Sequence, residues 1–137
     1  MDILSIDDFK KIEIRVGEIL SAEKVLDTDK LLKLSVRFGP KTLPTGNGES
    51  LSNGENPLER AIGEVDYEVR QILSGIAEYY PDPQTLVGVK CAFAYNLAPR
   101  VIRGLESNGM ILASTGDNGV FSLLRADPNL PSGSSIR

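Results

Sequence analysis

Two stretches of strict alternation constrain this chain most. Ile12-Glu13-Ile14-Arg15-Val16 and Leu32-Lys33-Leu34-Ser35-Val36-Arg37-Phe38 each place apolar residues at every second position. A period of two sends successive side chains to opposite faces, so each stretch makes a strand with one buried and one wet side. The first strand continues past Gly17 as far as Val25, and Gly17 is expected to mark a bulge or a sharp bend. Tyr67-Glu68-Val69-Arg70-Gln71-Ile72 resumes the same pattern as a third strand. Lys90-Cys91-Ala92-Phe93-Ala94-Tyr95 is almost wholly apolar, which predicts a fourth strand buried on both sides. Gly109 to Ser114 and Val120 to Leu124 form a further pair, joined as a hairpin by Gly116-Asp117-Asn118-Gly119.

Helical signals are sparse and short. Ser5-Ile6-Asp7-Asp8 reads as a capping box, opening a short helix whose Ile6, Phe9 and Ile12 are expected to pack on the domain. Ala77 to Val87 carries two helical turns, the second opened by Asp82 and Pro83 and stopped by Gly88. Several short strands with one interposed helix describe a small closed barrel. Among such barrels the OB-fold is the one with its helix between strands three and four. The expected architecture is therefore all-β: a five-stranded OB-fold barrel with a short N-terminal helix, an interposed helix and C-terminal extension strands. With 137 residues, positions 1–137 form one domain. Residues 39–66 stand apart, because Pro40, Pro44, Asn47-Gly48, Asn53-Gly54 and Pro57 are turn formers and large apolar residues are few. They are expected to be a mobile acidic insertion, since so long a connection is unusual in a compact domain.

Composition narrows the chemistry. The chain has no histidine and one cysteine, Cys91. Ser–His and Cys–His catalysis and zinc sites lose their usual groups, so neither a catalytic residue, a metal nor a cofactor is expected. No phosphate-binding glycine loop or calcium loop is present either. A lone cysteine cannot close an internal disulfide, which suits the cytoplasm, and no apolar run is long enough for a membrane span. The net charge of −4 argues against nucleic acid at first sight. It is carried wholly by Gly39 to Glu68, where six carboxylates face only Lys41 and Arg60. The rest of the chain is neutral and can still gather its cations on one face.

The stretches IEIRVGEILSAEKV, DTDKLLKLSV, RQILSGIAEYY, LVGVKCAFAYNLAPRVIRGLESNGMILAS and PSGSSIR resemble the tRNA-binding domain family. That family includes the C-terminal appendix of methionyl-tRNA synthetase, its free-standing beta-subunit-like forms and the endothelial-monocyte-activating polypeptide domain. The resemblance covers nearly everything outside residues 39–66, and the ordered run ILSGIA…NLxPRxxRGxESxGM makes it specific. It implies an OB-fold, usually homodimeric when free-standing, that binds the outside corner of tRNA and serves a methionyl-tRNA synthetase without catalysing anything itself. The acidic insertion departs from the family, whose members join these strands by a much shorter link.

The resemblance places Ser107 and Met110 first among candidate RNA contacts, in Glu106-Ser107-Asn108-Gly109-Met110. A hydroxyl can meet phosphate or a 2′-OH, Gly109 permits close backbone approach, and methionine offers a polarizable contact. Arg100 and Arg103 flank a proline-stiffened loop from which long cations can reach phosphates. Lys30, Lys33 and Arg70 are cations at a turn or on polar strand faces, each equally readable as an ordinary surface charge. Asn96 either reads a base edge or caps a strand end. Tyr79 and Tyr95 offer stacking faces or belong to the core, whereas Ser74, Gly75 and Cys91 read as structural. Two rival functions remain: a polypeptide-binding, export-chaperone-like dimer of the same fold, and a scaffold joining synthetase subunits. The start at Met1 favours a free-standing protein over an excised appendix.

Overall fold

The computed structural model describes residues 1–40 and 67–137. Its main sheet has six strands, the first three of which form where the sequence alternates. Strand β1 spans Ile14–Lys24, β2 Leu32–Pro40, β3 Tyr67–Ser74 and β4 Lys90–Ala94. A hairpin of β5 (Arg100–Ile102) and β6 (Leu105–Ser107) follows, then β7 (Met110–Ile111). A second hairpin, β8 (Ala113–Thr115) and β9 (Phe121–Leu123), precedes the terminal β10 (Ser135–Ile136). The order β3-β2-β1-β4-β7, with β10 on β1, curls the sheet strongly into an OB-like barrel. All its pairings are antiparallel.

The core follows from the alternation. Leu32, Leu34, Val36 and Phe38 point inward from β2 and share one core with Ile19 of β1, Ile72 of β3 and Phe93 of β4. Cys91 to Ala94 are all buried, as the unbroken apolar run of β4 requires. Phe38 and Phe93 pack edge to face with ring centres 5.4 Å apart, a preferred aromatic geometry. Gly17 sits inside this packing. A Cβ there would lie 2.5 Å from Val36 Cγ1 and 2.9 Å from the Phe93 ring, so the residue is small because two strands press together. The bulge expected at Gly17 lies further on, between Ile19 and Ser21.

Other expectations need adjustment. The interposed helix is two single turns of 3₁₀ helix, Ala77–Tyr79 and Pro83–Leu86; Asp82 Oδ1 accepts from Gln84 N–H at the start of the second. The N-terminal helix α1 is one turn, Ile6–Phe9, and Ser5 Oγ accepts the Asp8 N–H at 3.1 Å. It buries no residue, and Ile6, Phe9 and Ile12 remain exposed. A single turn presents too little apolar surface to be drawn onto the barrel by burial. The segment between Asn96 and Asn108, which looks irregular in sequence, holds the β5–β6 hairpin. Of the expected insertion at 39–66, Gly39 and Pro40 complete β2, and residues 41–66 lie outside the described residues.

Among the described residues no helix is long and apolar enough to cross a membrane.

Candidate nucleic-acid interface

The hairpin β5–β6 is an arm set against the edge of β3. Its strands pair Arg100 with Ser107, Val101 with Glu106 and Ile102 with Leu105, leaving Arg103-Gly104 as the turn. Both turn residues have positive φ, 54° for Arg103 and 79° for Gly104, as a type I′ turn demands. Glycine adopts that backbone freely and arginine does not, so Arg103 is held at the tip against its own preference. Val101 is 72% exposed, and both arginines are exposed as well. Neither Arg100 nor Arg103 pairs with a carboxylate among the described residues.

The arm meets the sheet at β3. Alternation turns Gln71 and Leu73 to the outer face while Ile72 enters the core. Gln71 Nε2 donates to Glu106 O at 2.9 Å, and Asn108 N–H donates to Gln71 O at 2.9 Å. Ser107 is 4% exposed. Its Oγ accepts the Leu73 N–H at 3.0 Å and donates to Gly109 O at 3.2 Å. This hydroxyl therefore satisfies a buried edge donor of β3 and helps to close the barrel, which places it inside the fold. Gly109 follows with φ 137°, where a Cβ would lie 3.0 Å from Ala94 O. Met110 emerges beyond it, 49% exposed and paired with Ala94.

Next to the arm, the outward residues of β1, β2 and β3 line a shallow open groove: Ser21, Glu23, Lys33, Ser35 and Gln71, over Leu34. Lys33 reaches Glu23 Oε1 at 2.7 Å. Lys33 is opposite Leu73 in the register, Leu73 is bonded to Ser107, and Ser107 is opposite Arg100. Lys33 and the arm are thus linked through β3. Lys30 is exposed in the turn before β2, and its carbonyl accepts the Ala77 N–H at 2.9 Å. It too pairs with no carboxylate among the described residues.

Two further candidates are engaged with the chain itself. Asn96 Oδ1 accepts the Glu13 N–H at 2.8 Å and its Nδ2 donates to Lys11 O at 2.7 Å, tying the segment after α1 to the end of β4. Arg70 lies in an aromatic corner. Its guanidinium is 3.7 Å from the Tyr95 ring centre, with Arg15 over the same ring at 4.3 Å. Glu68 accepts from Arg70 Nη2 at 3.2 Å and from the Tyr95 hydroxyl. Burial, and then the Glu68 hydrogen bond, push the Tyr95 phenol up from its ordinary range. Tyr95 is thus covered by guanidinium groups, while Tyr79 stacks on Phe121 with ring centres 4.0 Å apart.

The sequence reading missed the arm, Gln71 and the groove hydroxyls of Ser21 and Ser35. The alternation of β3 contained the signal for Gln71, and Ile102-Arg103-Gly104-Leu105 contained that for the arm. Arginine is simply not a residue one expects at the first position of a type I′ turn. Among the described residues no group of three or more His, Cys, Asp or Glu side chains is placed to hold a metal ion.

Comparisons with known proteins bear on this surface. The family model described as "Putative tRNA binding domain" matches residues 54–135, more than half of the chain. The methionine–tRNA ligase of Caldanaerobacter subterraneus subsp. tengcongensis is 38% identical over 136 residues, and that of Methanospirillum hungatei 42% over 134. These matches cover 99% and 98% of this chain but 17% and 16% of the ligases, so the chain spans about a sixth of the curated relatives it matches. The crystal structure of a MetRS related protein from Pyrococcus horikoshii superposes over the full length of both chains, with a TM-score of 0.75 and 31% identity. A CsaA chaperone from Bacillus anthracis str. Ames gives a TM-score of 0.69 at 20% identity over 99% of this chain and 100% of its own, a likeness of fold alone. With the family model matched over strands that build the barrel and a full-length relative of the same fold, this chain belongs to the tRNA-binding domain family.

Proposed function

We propose that this chain binds the folded surface of tRNA through the arm and the adjoining groove, as a non-catalytic, cytoplasmic partner of methionyl-tRNA synthetase. The observation that carries the reading is the arm itself: a two-residue turn that carries Arg103, with Arg100 at the base of the hairpin, both without carboxylate partners among the described residues. Guanidinium groups in that state suit phosphate, which they can grip with two parallel bonds. Met110, Lys33 and Lys30 add contacts along the same side, and the groove offers the hydroxyls of Ser21 and Ser35 for 2′-OH groups. Ser107, Asn96 and Arg70 serve this surface by holding it in shape. Such contacts position an RNA without reading its sequence, so one body can serve many anticodons.

The test is a filter-binding titration of tRNA at two salt concentrations with the intact protein. Binding that weakens steeply with salt, and that drops when Arg100 and Arg103 become alanine, supports the proposal. Binding that is absent, or indifferent to salt and to both arginines, overturns it. We further propose a homodimer. The exposed apolar run Ile3, Leu4, Ile6, Phe9 and Ile12 leads into the strand pairing Ile14↔Ile136, and a second copy is the natural cover for it. Sedimentation of the intact protein decides it, a concentration-independent monomer being the contrary result. The same apolar run is what favours the second reading, polypeptide binding; salt-insensitive affinity for unfolded peptides, with none for tRNA, would select it.

A further inference from the structure

We infer that Arg70 is a positioning residue that clamps the neck of the arm and so fixes where Arg100 and Arg103 point. The arm leaves the barrel after Tyr95, the residue that follows β4, and returns at Asn108 beside β3. Arg70 Nη1 donates to both ends of that excursion, to Tyr95 O at 2.7 Å and to Asn108 O at 3.5 Å. Gln71, the next residue, holds the returning strand through Asn108 N–H and Glu106 O, each at 2.9 Å. On its other side Arg70 is held in turn, because Nε and Nη2 both donate to Glu68 Oε2, at 3.3 and 3.2 Å. Its side chain is 23% exposed, and its flat face lies over the Tyr95 ring.

Four hydrogen bonds and a stacked ring engage the guanidinium almost completely. A phosphate would have to displace Glu68 to reach it. Lysine cannot replace this geometry, since an ammonium is a point charge and only the planar fork reaches a carboxylate on one edge and two carbonyls on the other. The benefit lies in order. A loop fixed before binding avoids part of the ordering loss that contact would otherwise impose.

The experiment uses the intact protein with Arg70→Lys and Arg70→Gln, each also in an Arg100→Ala/Arg103→Ala background. The affinity arm rests on the tRNA-binding proposal; trypsin cleavage after Arg100 and Arg103, followed by mass spectrometry, does not. The expected result is that Arg70→Lys and Arg70→Gln both weaken tRNA binding by roughly three- to tenfold with an unchanged salt slope. Cleavage within the arm should speed up, and neither change should weaken binding further once Arg100 and Arg103 are alanine. The inference is overturned if Arg70→Lys binds like the native protein while Arg70→Gln loses about one unit of salt slope, the mark of a direct phosphate contact. It is equally overturned by losses that add to those of the arm arginines, or by unchanged arm cleavage. Should both variants melt too low to assay, Gln71→Ala removes the second grip and must accelerate arm cleavage in the same way. Absence of tRNA binding in the native protein would defeat the functional proposal and leave the cleavage result to decide the clamp.

Discussion

The corner around Tyr95 and the arm a few residues later are built from the same residue type and use it in opposite ways. In the corner, Arg15 is neutralised by Glu13 at 2.6 Å and Arg70 by Glu68, and both guanidinium groups lie over one ring. On the arm, Arg100 and Arg103 are exposed, and the second is held in an unfavourable backbone conformation that carries it to the tip. Availability, not number, decides which cations an anion can use. A chain with net charge −4 can present a phosphate-binding face when its carboxylates neutralise the arginines that build the fold and leave aside those that leave it.

The strongest way to break the contrast is to remove what both regions stand on. Phe93 is fully buried and packs against Phe38; Phe93→Ala should cost about 3–5 kcal/mol in urea or thermal unfolding, and a loss below 1 would show that the core is not where the alternation puts it. Cys91 checks the same core without a mutation. Burial raises its thiol from 9.0 to about 11, so at pH 8 the thiolate fraction falls roughly a hundredfold. Native protein should resist iodoacetamide while urea-unfolded protein reacts. The sign for stability follows: the raised folded value favours the protonated thiol, so this contribution is intact below 9 and lost as pH rises through about 11. Next comes the hinge between the regions. Ser107→Ala leaves the buried Leu73 N–H without its acceptor, at about 1–3 kcal/mol, and should loosen the arm. If stability holds and only tRNA affinity falls, the hydroxyl touches RNA after all and the two regions are less distinct. Arg100→Ala with Arg103→Ala should leave the melting temperature within a degree or two. It should weaken tRNA binding about tenfold at low salt, and shorten the log-affinity against log-salt slope by about two contacts.

How much of this was readable beforehand depended on how local each feature is. The strands β1 to β4 were legible because Leu32, Leu34 and Val36 record their burial in their own spacing. Ser5 and Asp82 were legible because a cap is a matter of three residues. The family resemblance rested on the same ordered stretches. Side-chain roles were less accessible, because they depend on partners far along the chain. Ser107 reads as a contact in the sequence, and its bond to Leu73, distant along the chain, is visible only in the fold. Asn96 could equally well have faced solvent, and its bonds to Glu13 and Lys11 come from the opposite end of the protein. The exposure of Ile6, Phe9 and Ile12 was hidden for a different reason: helical spacing says which residues share a face but not whether anything covers it.

The smallest effect tests the comparison most finely. Lys33 sits in the groove beside the arm but belongs electrically to the corner's class, since Glu23 holds it at 2.7 Å. Both side chains are substantially exposed, so the pair contributes at most about 1 kcal/mol to stability, and Glu23→Gln should barely move the melting temperature. It removes a negative charge from the groove and frees the ammonium, with the shape unchanged. If availability is what makes a cation useful to RNA, Glu23→Gln should strengthen tRNA binding by about two- to threefold at low salt, an advantage that fades as salt screens it. Lys33→Gln removes a cation that Glu23 already holds and leaves that carboxylate uncompensated, so it should weaken tRNA binding by about twofold at most, less than the loss of either arm arginine. An Lys33→Gln loss as large as that of either arm arginine would mean that a neutralised cation serves RNA as well as a free one, and the distinction between the two regions would no longer hold.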